Sequence, residues 1–278
     1  MKKLLSALLA VTMLSMLFAG CGGGKDSSDG AAAADQLSTI LENGKMVAAI
    51  EAGNEPWAYA DTDTGEYTGF SIDLISGFAE AIGVEIEFMP LEFSEMIPAV
   101  QAGKADIVAS NISRTTARAA TVLFTDAIGY DNCVAVVRSD SGLTSTTELD
   151  VPEITITAPA GNIYEEMAYE KFPNATVSAL ASTSDAIAAL KAGRADAYLT
   201  DTIQAYKLLD TDDTLTILPE TLDSDTVAYA LDLDVNSYTL RDAFNTYLKV
   251  IKLNGTYNEL YNKYFGVDWV PLMGEYGA

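Results

Sequence analysis

The chain has 278 residues, 40 acidic against 16 basic, a formal net charge of −24, no histidine and two cysteines. A surface this acidic repels nucleic acid and anionic lipid headgroups. Without histidine a Ser-His-Asp or Cys-His mechanism is excluded, a zinc site is disfavoured, and the composition implies no metal or cofactor.

Lys2 and Lys3 precede an apolar run over residues 4–18. The run is shorter than the roughly 20 residues of a membrane span, so it reads as the core of a signal peptide. It ends in Leu17-Phe-Ala-Gly-Cys21, which resembles the lipobox of bacterial lipoproteins, where the cysteine is acylated. On that resemblance residues 1–21 are a lipoprotein signal peptide. Cys21 then anchors the protein to the extracytoplasmic face of the cell membrane without a spanning helix. Residues 22–36 are Gly-, Ala- and Ser-rich with almost no large apolar group and read as a flexible tether. What remains is long enough for a sizeable core, as one large domain or two small lobes.

From there the pattern alternates strand and helix. An amphipathic helix over 37–43 stops near Gly44, and 46–50 is a buried strand that opens a loop over 51–59. In open α/β sheets such a loop, at a strand's carboxyl end, is where ligands bind. A turn at 61–66 leads to a helix ending at Ile82, whose apolar Ile72, Ile75, Phe78, Ala79 and Ile82 recur at helical spacing. A strand at 84–89, a helix at 94–102 and a strand at 107–109 follow. The segment 130–137 reads as a crossing to a second lobe built from a strand at 154–157, a glycine loop, a helix at 165–172, a strand at 176–180, a helix at 184–192 and a strand at 195–199. Residues 227–231 return, and 236–265 are helical with a break at Asn254-Gly255. Cys133 lies in the apolar run of the crossing and reads as a small buried hydrophobe.

Ala99-Val-Gln-Ala-Gly-Lys-Ala-Asp-Ile-Val108 recurs ninety residues later as Ala189-Leu-Lys-Ala-Gly-Arg-Ala-Asp-Ala-Tyr198. Each copy is a helix end, a glycine suited to the left-handed stop, a base, an aspartate and a strand. The first copy runs into hydroxyls and a guanidinium, Ser110-Asn-Ile-Ser-Arg-Thr-Thr-Ala-Arg118, and the second into a carboxylate, Leu199-Thr-Asp201. A cleft between two such strand ends suits a zwitterion.

Gly69-Phe-Ser-Ile-Asp-Leu74, Ser113-Arg-Thr-Thr-Ala-Arg118 and Asn254-Gly-Thr-Tyr-Asn-Glu-Leu-Tyr-Asn-Lys-Tyr-Phe-Gly266 resemble the polar amino-acid solute-binding proteins of ABC importers over about residues 37–267. The resemblance implies an α/β, two-lobe periplasmic-binding-protein-like fold of type II, its lobes joined by two crossover strands. Lobe 1 is expected at 37–131 plus 228–270 and lobe 2 at 132–227. It implies that Arg118 forks onto the ligand α-carboxylate, a geometry its planar guanidinium favours. Ser113 assists there, and the Gly161-Asn162-Ile163 loop completes that site with amides at a helix N-terminus. Asn111 meets the α-amino group. Asp201 pairs with that group or, alternatively, caps the segment after it.

The same resemblance implies that Phe93, Glu51, Asn54 and Thr200 face the side-chain end of the cleft. Trp57 either touches the ligand or packs in the lobe. Arg114 lies between two site-facing positions, and no spare base meets a side-chain carboxylate, so aspartate and glutamate are disfavoured. The expected partners are a free amino acid with a polar or cationic side chain and an ABC permease, with the chain acting as a monomer and not as an enzyme. The alternative is a lipid-anchored cyclohexadienyl-dehydratase-like enzyme on the same fold, with Glu51 and Asp201 as its acid pair.

Overall fold

The computed structural model describes residues 35–269. The signal segment with Cys21, and the tether up to residue 34, lie outside the described residues. The chain begins α1 (Gln36–Asn43), β1 (Lys45–Ile50), β2 (Gly53–Asn54), β3 (Ala58–Ala60), β4 (Tyr67–Thr68), α2 (Phe70–Ile82), β5 (Glu85–Pro90), α3 (Phe93–Gln101), β6 (Ile107–Ser113), α4 (Thr116–Ala119) and β7 (Val122–Phe124). β8 (Gly129–Arg138) leads into β9 (Thr155–Pro159), α5 (Ile163–Lys171), β10 (Thr176–Leu180), α6 (Thr183–Lys191), β11 (Ala197–Asp201), α7 (Thr202–Thr211) and β12 (Leu215–Ile217). β13 (Asp223–Asp232) returns to α8 (Tyr238–Asn254) and α9 (Thr256–Phe265). Asp35 accepts the Ser38 amide at 3.0 Å, so the first helix starts at Gln36, inside the segment read as tether.

The strands run in the order β10-β9-β11-β8-β13-β6-β1-β5, with β12 beside β8 and β7 beside β13. β1 lies parallel to β5 and β6, and β9 parallel to β10 and β11, giving one α/β lobe at each end. β8 and β13 cross between them as an antiparallel pair. Further along, β8 pairs with β11 and β12 of the second lobe, and β13 with β6 and β7 of the first. The inner parallel strands β1, β6, β9 and β11 are largely buried and read as near-continuous runs of small and apolar residues, whereas the outer strands β5 and β10 keep exposed residues. β8 shows the two-residue period inside such a run: Cys133, Ala135 and Val137 enter one core cluster, Val134 and Val136 another. Lobe 1 is centred on Phe70, Phe78, Tyr229 and Phe244, with rings packed edge-on or tilted.

The repeat explains why the lobes share a plan. Gly103 and Gly193 take φ of +65° and +67°. Lys104 and Arg194 then donate their amides to Ala99 and Ala189 carbonyls, both at 2.9 Å. Asp106 accepts the Val47 amide at 2.8 Å and Asp196 accepts the Thr155 amide at 2.9 Å, each aspartate tying its own strand to the first strand of its lobe.

Candidate functional site

Both repeats deliver their polar ends to the cleft between the lobes. β6 ends at Ser113, and Thr115 caps the short α4 by accepting the Arg118 amide at 3.1 Å. That single turn folds Arg118 back into the interior, where it is 8 % exposed. Its Nη1 donates to the Ser113 carbonyl at 3.4 Å, and its Nη2 crosses the cleft to the Gly161 carbonyl at 3.0 Å. The guanidinium carbon lies 5.6 Å from the centre of the Phe93 ring, a cation–π arrangement. Burial pulls the Arg118 pKa down, and Glu166, Asp225 and Tyr164 oppose the shift; a guanidinium keeps its charge regardless. Arg114 is exposed.

Across the cleft, Asp201 ends β11 and caps α7, its Oδ1 accepting the Gln204 amide at 2.7 Å. The capping role therefore holds. It takes one lone pair of a carboxylate that has about four. Asn162 caps α5 in the same way, accepting the Tyr164 amide at 3.4 Å, and Ile163 is the first helical residue. The glycine loop meets Arg118 through a carbonyl.

Elsewhere in the cleft lies a buried polar network that joins the lobes. Asn54 Nδ2 donates to Glu51 Oε2 and to Asn111 Oδ1, both at 3.0 Å. Glu51 Oε1 accepts the Thr183 hydroxyl at 2.6 Å, and Asn54 Oδ1 accepts Gln204 Nε2 at 2.7 Å. Thr183 and Gln204 sit in the first turns of α6 and α7, so both bonds join lobe to lobe. Gln204 Oε1 in turn accepts the hydroxyls of Thr200, at 2.5 Å, and Tyr198. Burial raises the Glu51 pKa, against the lowering effect of its bonds to Thr183 and Asn54. At the rim Ser184 donates to the Gly53 carbonyl at 3.3 Å, and Lys207 pairs with Glu55 at 3.4 Å.

Glu51, Asn54, Asn111, Thr200 and Asp201 thus gather in one cluster, with Arg118, Ser113, Phe93 and the Gly161–Ile163 turn in another. Trp57 belongs to neither. It is 1 % exposed and packs against Phe70 and Phe265 in the lobe 1 core, the second of the two readings given for it and not the ligand contact. Thr183, Tyr198 and Gln204 were absent from the expected set. Gln204 carried a signal, since Asp201-Thr-Ile-Gln204 has the spacing of a capping box.

Two α/β lobes joined by an exchanged strand pair, with hydrogen-bonding and charged groups facing one another across the cleft, define a two-lobe binding protein. The chain belongs to the bacterial extracellular solute-binding proteins, family 3, whose model matches residues 46–267. The L-cystine-binding protein TcyA of Bacillus subtilis (strain 168) is 26% identical over 270 residues, 96% of this chain and 99% of that protein. The arginine-binding extracellular protein ArtP of the same organism is 27% identical over 272 residues, 95% and 98% of the two chains. Among solved structures, the ancestral amino acid-binding protein AncCDT-1, a precursor of cyclohexadienyl dehydratase, superposes with a TM-score of 0.77 at 30% identity. The match covers 82% of this chain and 99% of that one. The L-arginine-bound AbpA of Streptococcus pneumoniae Canada MDR_19A gives 0.77 at 26% identity over 82% and 97%. No helix among the described residues is long and apolar enough to cross a membrane.

Proposed function

We propose that this protein captures a free amino acid with a polar or cationic side chain in the interlobe cleft and delivers it to an ABC transporter permease, as a monomer anchored through Cys21 on the extracytoplasmic face. The observation that carries the reading is the pair of strand ends on opposite sides of one cleft, a buried Arg118 on lobe 1 and Asp201 on lobe 2. A guanidinium forks onto a carboxylate with two parallel N–H groups, and a carboxylate opposite it suits the α-ammonium. A ligand that joins both lobes binds the closed arrangement better than any other and shifts the population towards it. The names of the relatives, which bind cystine and arginine, fit this class. The dehydratase alternative is favoured by the AncCDT-1 likeness. Against it, Glu51 is engaged with Thr183 and Asn54, and Asp201 caps α7 through the Gln204 amide. Turnover of a prephenate-type substrate would establish that alternative.

Truncating one partner of a buried charge pair costs about 2–5 kcal/mol. Calorimetric titration of Arg118→Ala with the best ligand from an amino-acid panel should therefore show binding weakened by about 30- to 3000-fold. Affinity within about threefold of the parent removes Arg118 from the site. Cys21→Ala should move the protein from the membrane fraction to the medium, and retention on membranes refutes the lipid anchor.

A further inference from the structure

The side-chain end of the cleft holds a row of hydrogen bonds with a fixed direction. The Gln204 amide is oriented by lobe 2 alone, since the Thr200 and Tyr198 hydroxyls both donate to its Oε1. That leaves Nε2 directed at lobe 1, where Asn54 Oδ1 receives it at 2.7 Å. Asn54 cannot turn over either, because its Nδ2 is committed to Glu51 and Asn111. Beside this bond Glu51 holds Thr183 at 2.6 Å. Glu51, Asn54, Thr183, Thr200 and Gln204 are all buried. No atom fits between groups 2.6–2.7 Å apart.

We infer that Gln204, with Asn54 as its partner, is a specificity-determining residue: together they form a bar across the cleft that restricts the ligand to a short, uncharged side chain. The inference rests on the amino-acid reading of the cleft and narrows it. The geometry connects the bar to the zwitterion groups. Gln204 lies one helical turn beyond Asp201, which caps that same turn, and Asn54 is bonded to Asn111, two residues before Ser113. A side chain leaving the space between Arg118 and Asp201 therefore meets the bar at once. A long side chain can pass only by separating Asn54 from Gln204, which strands a buried carbonyl and a buried N–H, and unmade buried hydrogen bonds are costly. A cationic side chain adds a second conflict. Gln204 presents a donor, which cannot accept from an ammonium or guanidinium. The Glu51 carboxylate has both of its oxygens committed, one to the Thr183 hydroxyl and one to the Asn54 amide, so a cation reaching it must share an oxygen that already accepts a bond. A ligand that leaves buried polar groups of its site unpaired is rejected far more sharply than one that merely fits an apolar pocket poorly.

The test uses the full-length parent, Gln204→Ala and Asn54→Ala. Each is titrated calorimetrically with L-alanine, L-serine, L-threonine, L-asparagine, L-glutamine, L-lysine, L-arginine and L-cystine. The two variants remove the bar from opposite lobes, so a folding defect peculiar to one leaves the other to report. The expected result is a parent that binds a short member tightest, and variants in which the affinity ratio of L-arginine or L-lysine to that member rises by about tenfold or more. A parent that binds L-arginine, L-lysine or L-cystine tightest overturns the bar and leaves the amino-acid reading standing. An equal loss for every ligand in both variants also overturns it, because the pair then only holds the lobes together. If no member of the panel binds the parent or either variant, the amino-acid reading falls and the bar falls with it.

Discussion

Asp201 carries two roles that a single substitution can separate. Its Oδ1 caps α7, and on the proposed reading its charge pairs with the ligand α-ammonium. Asparagine caps a helix about as well as aspartate, whereas alanine loses about 1 kcal/mol. Asp201→Asn should therefore unfold in urea at nearly the parent's midpoint and still bind ligand at least about tenfold more weakly, through loss of the α-ammonium pair. Asp201→Ala should show both losses. Parent-like affinity in the asparagine variant would reduce Asp201 to a cap. Glu51 supplies a pH signature. Burial raises its folded pKa above the ordinary glutamate value of about 4.3. The folded state therefore binds the proton more tightly than the unfolded chain, and stability falls as pH rises from near that value through the raised pKa. Glu51→Gln removes this slope. In denaturation series from pH 4 upwards, the difference in stability between variant and parent should move in the variant's favour as pH rises; a constant difference means that Glu51 does not titrate abnormally. These residues were unequally legible. Arg118 and Asp201 stand in short polar runs directly after a buried strand, and sequence marks such points well. Thr183 and Gln204 did not stand out because their importance comes from what faces them across the cleft, and one strand or helix carries no record of its opposite wall. Trp57 could be read both ways for the same reason, since a tryptophan beside a cleft loop and one in an aromatic core look alike until Phe70 and Phe265 are placed.

The elements were read more fully, because their limits are set locally. The break at Asn254-Gly255 separates α8 from α9 where expected, and the glycine repeat ends α3 and α6. The helix α7, Thr202-Ile-Gln-Ala-Tyr-Lys-Leu-Leu-Asp-Thr211, escaped because its start signal, the capping-box spacing of Asp201 and Gln204, begins at a residue that had a second use. The short strands β7 and β12 escaped for a different reason: each has three residues and exists only as an addition to a crossing strand. The repeat also makes a quantitative prediction. A side chain at Gly103 would meet nothing within 4 Å, and one at Gly193 would meet Arg138 only at 3.7 Å, an ordinary contact. Alanine at either position therefore costs only the left-handed backbone, about 1 kcal/mol. The positions are in different lobes, so the costs should add, giving about 2 kcal/mol for the double variant. Equilibrium urea unfolding of the two single variants and the double variant measures this, and a double variant no less stable than either single one would contradict independent stops in the two lobes.

At the scale of the molecule, hydrogen bonds and an ion pair cross between the lobes, beside the apolar contact of Ile203 with the lobe 1 core. Arg118 to Gly161, Thr183 to Glu51, Gln204 to Asn54 and Ser184 to Gly53 are hydrogen bonds, and Lys207 with Glu55 is a half-exposed ion pair. A hydrogen bond contributes about 0.5–1.5 kcal/mol net, and an exposed ion pair about 0–1 kcal/mol. Contacts of this size are opposed by the hydration that both lobes give up on meeting. A ligand with a few kcal/mol of preference for the closed form moves this balance, since a ligand shifts an equilibrium only by its differential affinity. On the proposed reading Arg118, Ser113 and Asn111 of lobe 1 meet the ligand together, whereas the charge that lobe 2 brings is Asp201, in addition to the uncharged Gly161–Ile163 turn that Arg118 already touches. Removing that charge should leave the ligand on lobe 1 and abolish its reason to draw lobe 2 in. Small-angle scattering at ligand concentrations adjusted to equal occupancy should then show a smaller radius of gyration on binding in the parent, and an unchanged one in Asp201→Asn. If the asparagine variant compacts as fully as the parent, closure is driven by the Asn54–Gln204 and Glu51–Thr183 bonds rather than by the zwitterion, and the two ends of the cleft exchange their roles.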